Sequence, residues 1–145
     1  MRRSAGLLLI GALIAHAVGW LAPVANGFVG WQAFRVALSP VWPFEHFTVP
    51  TWGLVILAVA SAATNVVFVL AAVALAAGVA DRERPRRVLI VALLAATLVN
   101  LHWPVSLGTH RGDLEVGYYV WLVSFPLLAL CAYVGRAPRQ VGGAS

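Results

Sequence analysis

The sequence predicts an all-α integral membrane protein, a four-helix bundle whose extracytoplasmic first loop is aromatic and rich in proline. The chain has 145 residues, of which 61% are hydrophobic and 10% charged, and its mean hydropathy is +0.88. Its apolar runs cover residues 5–24, 52–80, 88–105 and 114–135. About 20 apolar residues in a helix cross a ~30 Å hydrocarbon core. Because nearly the whole chain is used in this way, we expect one membrane domain over residues 1–145.

The basic residues predict the orientation of the four passes. Eight of the ten lie before the first run, between the second and third, or after the fourth: Arg2, Arg3, Arg82, Arg84, Arg86, Arg87, Arg136 and Arg139. Four passes place these segments on one side, and arginine-rich loops remain cytoplasmic. Both termini are therefore expected in the cytoplasm. Since these arginines flank membrane segments instead of forming one basic stripe, no nucleic-acid partner is expected.

The first run also has features of a secretory signal. Two arginines precede an apolar stretch, and Ala15-His16-Ala17 matches a small-x-small cleavage site. The apolar stretch continues beyond that site, through Trp20 and Leu21. We therefore predict an uncleaved signal anchor that stays as the first helix. Cleavage, the alternative, would leave three passes.

The second run is the longest, and its 29 residues would span about 43 Å as a helix. It must tilt or project from the bilayer. Small residues at four-residue spacing, such as Ala58 and Ala62, allow helix backbones to approach closely. We predict that this run is the central packing helix. The similar pair Gly11 and Ala15 predicts that the first run lies against it.

Two asparagines and one proline are informative exceptions to the apolar character of the runs. Asn65 in the second run and Asn100 in the third carry amides that would be costly in lipid without a partner. Both are predicted to face other helices, where a hydrogen bond contributes about 0.5–2 kcal/mol. Pro126 in the fourth run removes a backbone hydrogen bond, which predicts a kink in that helix.

Aromatic side chains gather in the first loop and at the start of the fourth run. They are Trp31, Phe34, Trp42, Phe44, Phe47, Trp52, Tyr118, Tyr119 and Trp121. Residues 30–39 have the periodicity of a short interfacial helix, whereas residues 40–50 contain too much proline to be regular. Aromatic rings at headgroup depth form the usual interfacial belt. We predict that they contact lipid or a partner protein; a lid over an extracytoplasmic cavity is the alternative.

The histidines all lie toward the extracytoplasmic side of the predicted topology. Ring nitrogens on two helices at similar depth are what a bis-His haem or metal site requires, and His16 and His102 are the candidates. Glu45 and His46 are remote auxiliary candidates. No HxxxH motif and no second cysteine accompany them. Neutral histidines hydrogen-bonded within the bundle are the preferred interpretation, and haem bound by His16 and His102 is the alternative.

Several enzyme and transporter classes lack their required residues. Quinone-linked disulfide oxidoreductases need paired cysteines, and Cys131 is the only cysteine. Proton-coupled exporters need a carboxylate deep in the membrane, and the runs carry only Glu115, at the very start of the fourth. Ser106, His110 and Asp113 crowd the second extracytoplasmic loop with Glu115, but adjacency in sequence is not a triad. No catalytic residue and no dedicated metal site is predicted.

Two short strings resemble segments of known proteins. They are Gly-Trp-Gln-Ala at residues 30–33 and a Gly-Tyr-x-x-Trp-Leu string at residues 117–122. Both are similar to segments of small bacterial four-helix inner-membrane proteins that have no assigned activity, and the resemblance implies architecture only. The use of arginine without lysine is typical of a GC-rich genome and also favours a bacterial inner membrane.

These observations favour a non-enzymatic membrane protein that acts through contacts. It would be an accessory or assembly subunit of a larger membrane complex, or a homo-oligomer, with membrane lipids around it and no cofactor. Two alternatives remain open. One is a haem- or metal-binding redox protein that uses His16 and His102. The other is a lipid or small-molecule binding protein with a cavity under the aromatic loop.

Overall fold

The computed structural model describes residues 3–43, 52–106 and 114–135. The elements are α1 (Arg3–Leu21), β1 (Pro23–Ala25), β2 (Phe28–Val29), α2 (Gly30–Ala37), α3 (Trp52–Ala76), a 3-10 turn (Val79–Asp81), α4 (Glu83–Asn100), α5 (His102–Ser106) and α6 (Val116–Val134). Four helical spans, formed by α1, α3, α4 with α5, and α6, are long and apolar enough to cross a membrane. This confirms a mostly helical architecture with four long apolar helices in the described residues, whereas the β-hairpin was not predicted.

Several helix boundaries differ from those predicted: α1 ends at Leu21 instead of residue 24, and the third run is divided at Leu101 into α4 and α5. α3 ends four residues early, because Gly78 takes a left-handed conformation with φ of 72° and leads into the 3-10 turn. α4 begins at Glu83, five residues early, and includes three of the arginines. Pro85 is accepted there because the first turn of a helix does not need its N–H. The end of the bundle that carries this turn is called the arginine end.

The order of packing differs from the predicted one. α6 lies between α1 and α4, and α3 packs on α4. α1 and α6 come together at Gly19, where a Cβ would overlap Trp121. Gly11 has no atom within 4 Å of where its Cβ would be. The prediction that the second run is the central packing helix was therefore wrong. α1 does contact α3, through His16 on Phe68 and Trp20 on Asn65, but not through Gly11.

The arginine half of the bundle is filled by small and aliphatic side chains. Its buried residues include Ala5, Leu9, Ala12, Ala71, Leu75, Leu93, Leu128 and Ala132. Burying alanines lets neighbouring helices approach closely. α6 continues through Pro126 as one helix, and the kink remains a prediction.

The opposite end, called the hairpin end, carries the β-hairpin, α2 and α5. Asn26 and Gly27 form its two-residue turn, with φ of 49° and 75°. Positive φ at both positions is the type I′ geometry that suits Asn-Gly. Glu115 fastens the hairpin to α6, since its N–H donates to the Val24 carbonyl oxygen at 2.9 Å and its carboxylate accepts from Gly27 N–H at 2.7 Å. The short helix predicted at residues 30–39 is present as α2, Gly30–Ala37; its position at a membrane interface remains a prediction.

Candidate functional site

A cavity of about 370 Å³ lies at the hairpin end of the bundle. Its walls come from the end of α1, the hairpin, the first half of α3, α5 and the start of α6, and α2 covers one side. Gly30, the first residue of α2, sits against α1 so closely that a Cβ there would overlap the Gly19 carbonyl oxygen. This contact fixes where α2 lies. Pockets of about 300–1,000 Å³ are the size that holds small-molecule ligands.

The cavity lining is apolar and uncharged. Within the described ranges, none of the side chains that form it is acidic or basic. Aliphatic and aromatic groups supply most of the surface, among them Phe34, Leu54 and Trp103. Because burying a charge without a partner is costly, such a surface suits a neutral molecule that carries few hydrogen-bonding atoms.

The floor of the cavity is a hydrogen-bonded junction of three helices. Nε1 of Trp20 in α1 and Nε1 of Trp121 in α6 both donate to Oδ1 of Asn65 in α3, at 3.2 and 3.0 Å. The Asn65 side-chain nitrogen donates to the Ala62 carbonyl oxygen. The amide and both indole N–H groups are thereby satisfied away from water. Asn65 is thus the point at which α1, α3 and α6 share one polar contact.

A second junction lies beside the cavity at Asn100, which is fully buried. Ser61 Oγ donates to Asn100 Oδ1 at 2.6 Å, and Asn100 Nδ2 donates to Thr64 Oγ1 at 3.0 Å. Trp103 Nε1 donates to Ser61 Oγ, and the Tyr118 hydroxyl donates to the Asn100 carbonyl oxygen. This network joins α3, α4, α5 and α6 at the hairpin end.

Among the residues that line the cavity, one has a buried hydroxyl without a hydrogen-bond partner in the described part of the chain. Ser39, just after α2, is 7% exposed, and its Oγ has no hydrogen-bond partner in the described part of the chain. A buried polar group without a partner costs about 1–3 kcal/mol, and native proteins normally supply one. A polar atom of a bound molecule would supply the missing partner.

In the middle of the bundle, the ring of His16 is held by contacts with two other helices, α3 and α6. Its ring stacks on Phe68 of α3, with centroids 3.8 Å apart and planes 4° apart. Its Nδ1 lies 3.0 Å from Ser124 Oγ of α6. The ring is 9% exposed and lines a groove between α1 and α3.

His102, the other candidate ligand for haem, begins α5 and has different neighbours. Its Nδ1 lies at the Val99 carbonyl oxygen, and its ring packs on Trp103. Its Nε2 is buried and has no partner in the residues described. Those residues contain no cluster of three His, Cys, Asp or Glu side chains.

The predicted contact residues divide into two groups. Trp31, Trp42 and Trp52 are 45%, 58% and 84% exposed, and Tyr119 is also exposed. The inward group is Phe34, Tyr118 and Trp121, all of which line the cavity. Phe44 and Phe47 lie outside the described residues, as do Glu45, His46, His110 and Asp113.

Sequence reasoning missed three residues of the site: Trp20, Ser39 and Trp103. Trp20 was considered only as part of an apolar stretch and Trp103 was not singled out, because nothing in the local pattern shows that an indole N–H has an acceptor on another helix. A usable signal was present nearby. Asn26-Gly27 is the strongest short hairpin signal, and a hairpin returns the chain over the end of α1.

Comparisons with protein-family models, characterised proteins and solved structures found no match to this chain.

Proposed function

We propose that the protein binds a neutral amphiphile, a lipid or a small apolar molecule, in the cavity at the hairpin end. The observation that carries this proposal is a cavity of about 370 Å³ whose described lining carries no charge and includes Ser39, a residue whose buried hydroxyl has no hydrogen-bond partner in the described part of the chain. The ligand would present an apolar body to α2 and α3 and one or two oxygen or nitrogen atoms to the Ser39 hydroxyl. A molecule with a charged group, including a zwitterionic headgroup, would be rejected because the described residues that line the cavity carry no counter-charge.

The proposal includes a location, a bacterial inner membrane with both termini in the cytoplasm. Arg82, Arg84 and Arg87 are exposed at the arginine end, which supports a cytoplasmic position for that end. The cavity would then lie near the extracytoplasmic surface. A ligand could enter it from the outer leaflet or from the space beyond.

Tryptophan fluorescence provides a direct assay. Of the six tryptophans, Trp20, Trp103 and Trp121 line the cavity. Replacing the other three with phenylalanine leaves tryptophans only at the proposed site. A brominated monoacylglycerol, which is neutral, should then quench the emission saturably, whereas a brominated phosphatidylcholine should give only the non-saturating quenching of bulk lipid.

Filling the cavity tests the location of binding. Ala62 lines the cavity, while its neighbour Ala63 on the same helix is exposed and does not. In the background just described, Ala62→Phe should abolish the saturable quenching and Ala63→Phe should leave it intact. Equal quenching in the two variants would contradict the proposal.

The Ser39 hydroxyl gives a test without a change of volume. If it bonds the ligand, Ser39→Ala should weaken binding of the monoacylglycerol about 3- to 10-fold, the effect of one hydrogen bond. The ligand-free protein should be no less stable, because the hydroxyl has no hydrogen-bond partner in the described part of the chain. Unchanged binding of the monoacylglycerol by Ser39→Ala would show that the Ser39 hydroxyl does not bond the ligand.

A second candidate function, an accessory or assembly subunit of a membrane complex or a homo-oligomer, is favoured by the exposure of Trp31, Trp42 and Trp52. Replacing these three with alanine should release a copurifying protein after mild detergent extraction or reduce self-association. Retention of the partner or the oligomer would count against these residues as contacts.

Haem ligation by His16 and His102 also stays a proposal, for which a Soret band lost in His16→Ala is the test.

A further inference from the structure

The groove between α1 and α3 is separate from the cavity. It has a volume of about 310 Å³ and is lined by Leu13, His16 and Ala17 of α1 and by Phe68 and Val69 of α3. Along both helices it lies about one turn beyond the Trp20–Asn65 hydrogen bond, which separates it from the cavity. All of its lining side chains except His16 are apolar.

The protonation state of His16 follows from counting hydrogens at Ser124. The Ser124 hydroxyl has one hydrogen, and it donates that hydrogen to the Trp121 carbonyl oxygen at 2.6 Å. It can therefore only accept at its 3.0 Å contact with His16 Nδ1. The hydrogen of the neutral imidazole is consequently on Nδ1, and Nε2 carries a lone pair.

That lone pair is available to a molecule in the groove. Nε2 of His16 makes no hydrogen bond in the described part of the chain, and it is not among the polar atoms that are buried without a partner. Stacking on Phe68 and the bond to Ser124 hold the ring in place, so the acceptor is preorganised. A fixed acceptor in apolar surroundings favours a ligand that can donate to it.

We propose that this groove binds a neutral lipid carrying a hydroxyl group, with the hydroxyl donating to His16 Nε2 and the chain lying along α1 and α3. A carboxylate or a phosphate does not fit, because it would offer a negative charge and no hydrogen to an unprotonated nitrogen. An ether of the same shape lacks the donor. This inference does not rest on ligand binding in the cavity.

A matched pair of probes tests the chemistry on the unmodified full-length protein. The two probes are a long-chain alcohol with a diazirine on its chain and the methyl ether of that alcohol, in phosphatidylcholine vesicles. The alcohol should label the groove about 3- to 10-fold more strongly than the ether, because one hydrogen bond changes the affinity by about that factor. Equal labelling by the two probes would overturn the proposal.

Nitrogen NMR of the ¹⁵N-histidine-labelled protein gives an independent readout that requires no variant. His16 should show a protonated Nδ1 and an unprotonated Nε2, and the alcohol should shift Nε2 alone. A proton on Nε2, or no shift with the alcohol, would contradict the inference. His16→Phe keeps a ring against Phe68 and should abolish the preference for the alcohol. Ala62→Phe should leave that preference unchanged, which separates this site from the cavity.

Discussion

The arginine half and the hairpin half of the bundle pack their helices together with different kinds of side chain. The arginine half buries alanines and leucines, so its helices come together through small side chains. The hairpin half buries a tyrosine and two asparagines and half-buries three tryptophans, and these side chains connect the helices by hydrogen bonds. α1 and α6 also come into close contact in this half, at Gly19 and Trp121. The arginine half is filled, whereas the hairpin half also encloses a cavity.

This difference shows where function can be placed in such a small chain. In surroundings without water, each buried polar group must find a partner, which restricts its position. Among the described residues, the hairpin half meets this requirement at Asn65 and Asn100 and does not meet it at Oγ of Ser39 or Nε2 of His102. Ser39 is one of the residues that line the cavity, where in the proposed function a ligand would supply the partner.

The largest effect is expected where α1 and α6 make contact. Gly19→Leu would drive a side chain into Trp121 and should lower the free energy of unfolding by about 3 kcal/mol or more, since backbone cannot move aside cheaply. Gly11→Leu, on the same helix but in open space, should cost little. Thermal unfolding in detergent measures both. Equal losses would show that the close α1–α6 contact is not what holds these helices.

The next largest effect is expected at the buried junction between α3 and α4. Asn100→Ala removes the acceptor of Ser61 and should cost about 2 kcal/mol, because the buried hydroxyl is left without its partner. Thr97→Ala is the control, since the Thr97 hydroxyl bonds only the Leu93 carbonyl oxygen of its own helix. It should cost much less in the same unfolding assay. A similar cost for both would mean that the junction adds no interhelical stability.

A smaller loss, about 1 kcal/mol, is expected for Asn65→Ala, whose two indole partners are only partly buried. The sharper readout is the indole N–H signals in NMR. Those of Trp20 and Trp121 should both shift, while that of Trp103, which donates to Ser61, stays in place. Movement of only one of the first two signals would show that the junction does not join three helices.

The smallest effect is expected at the arginine end. Glu83 and Arg87 form an exposed ion pair one helical turn apart. Glu83→Gln should change the free energy of unfolding by about 0.5 kcal/mol or less, and salt should reduce the difference further. A loss as large as that of Asn100→Ala would contradict the view that only the polar contacts of the hairpin half are structurally important.

Local patterns predicted much of the architecture. The four apolar runs gave the four long helices, and the periodicity of residues 30–39 gave α2. Packing order was mispredicted because small-residue spacing occurs on several helices, and only one of the candidate surfaces is used. Gly11 and Gly19 illustrate this, since both are glycines of α1 and only Gly19 meets another helix.

Apolar length and the placement of charge are properties of consecutive residues, so the sequence determined the helices and the distribution of arginine along the chain. The partners of Trp20, Ser39 and His16 depend on residues that are distant along the chain, and the identity of those partners was decided only when the helices packed. The cavity, the unpaired hydroxyl and the tautomer of His16 belong to the tertiary structure for that reason. Each requires side chains from at least two elements to meet.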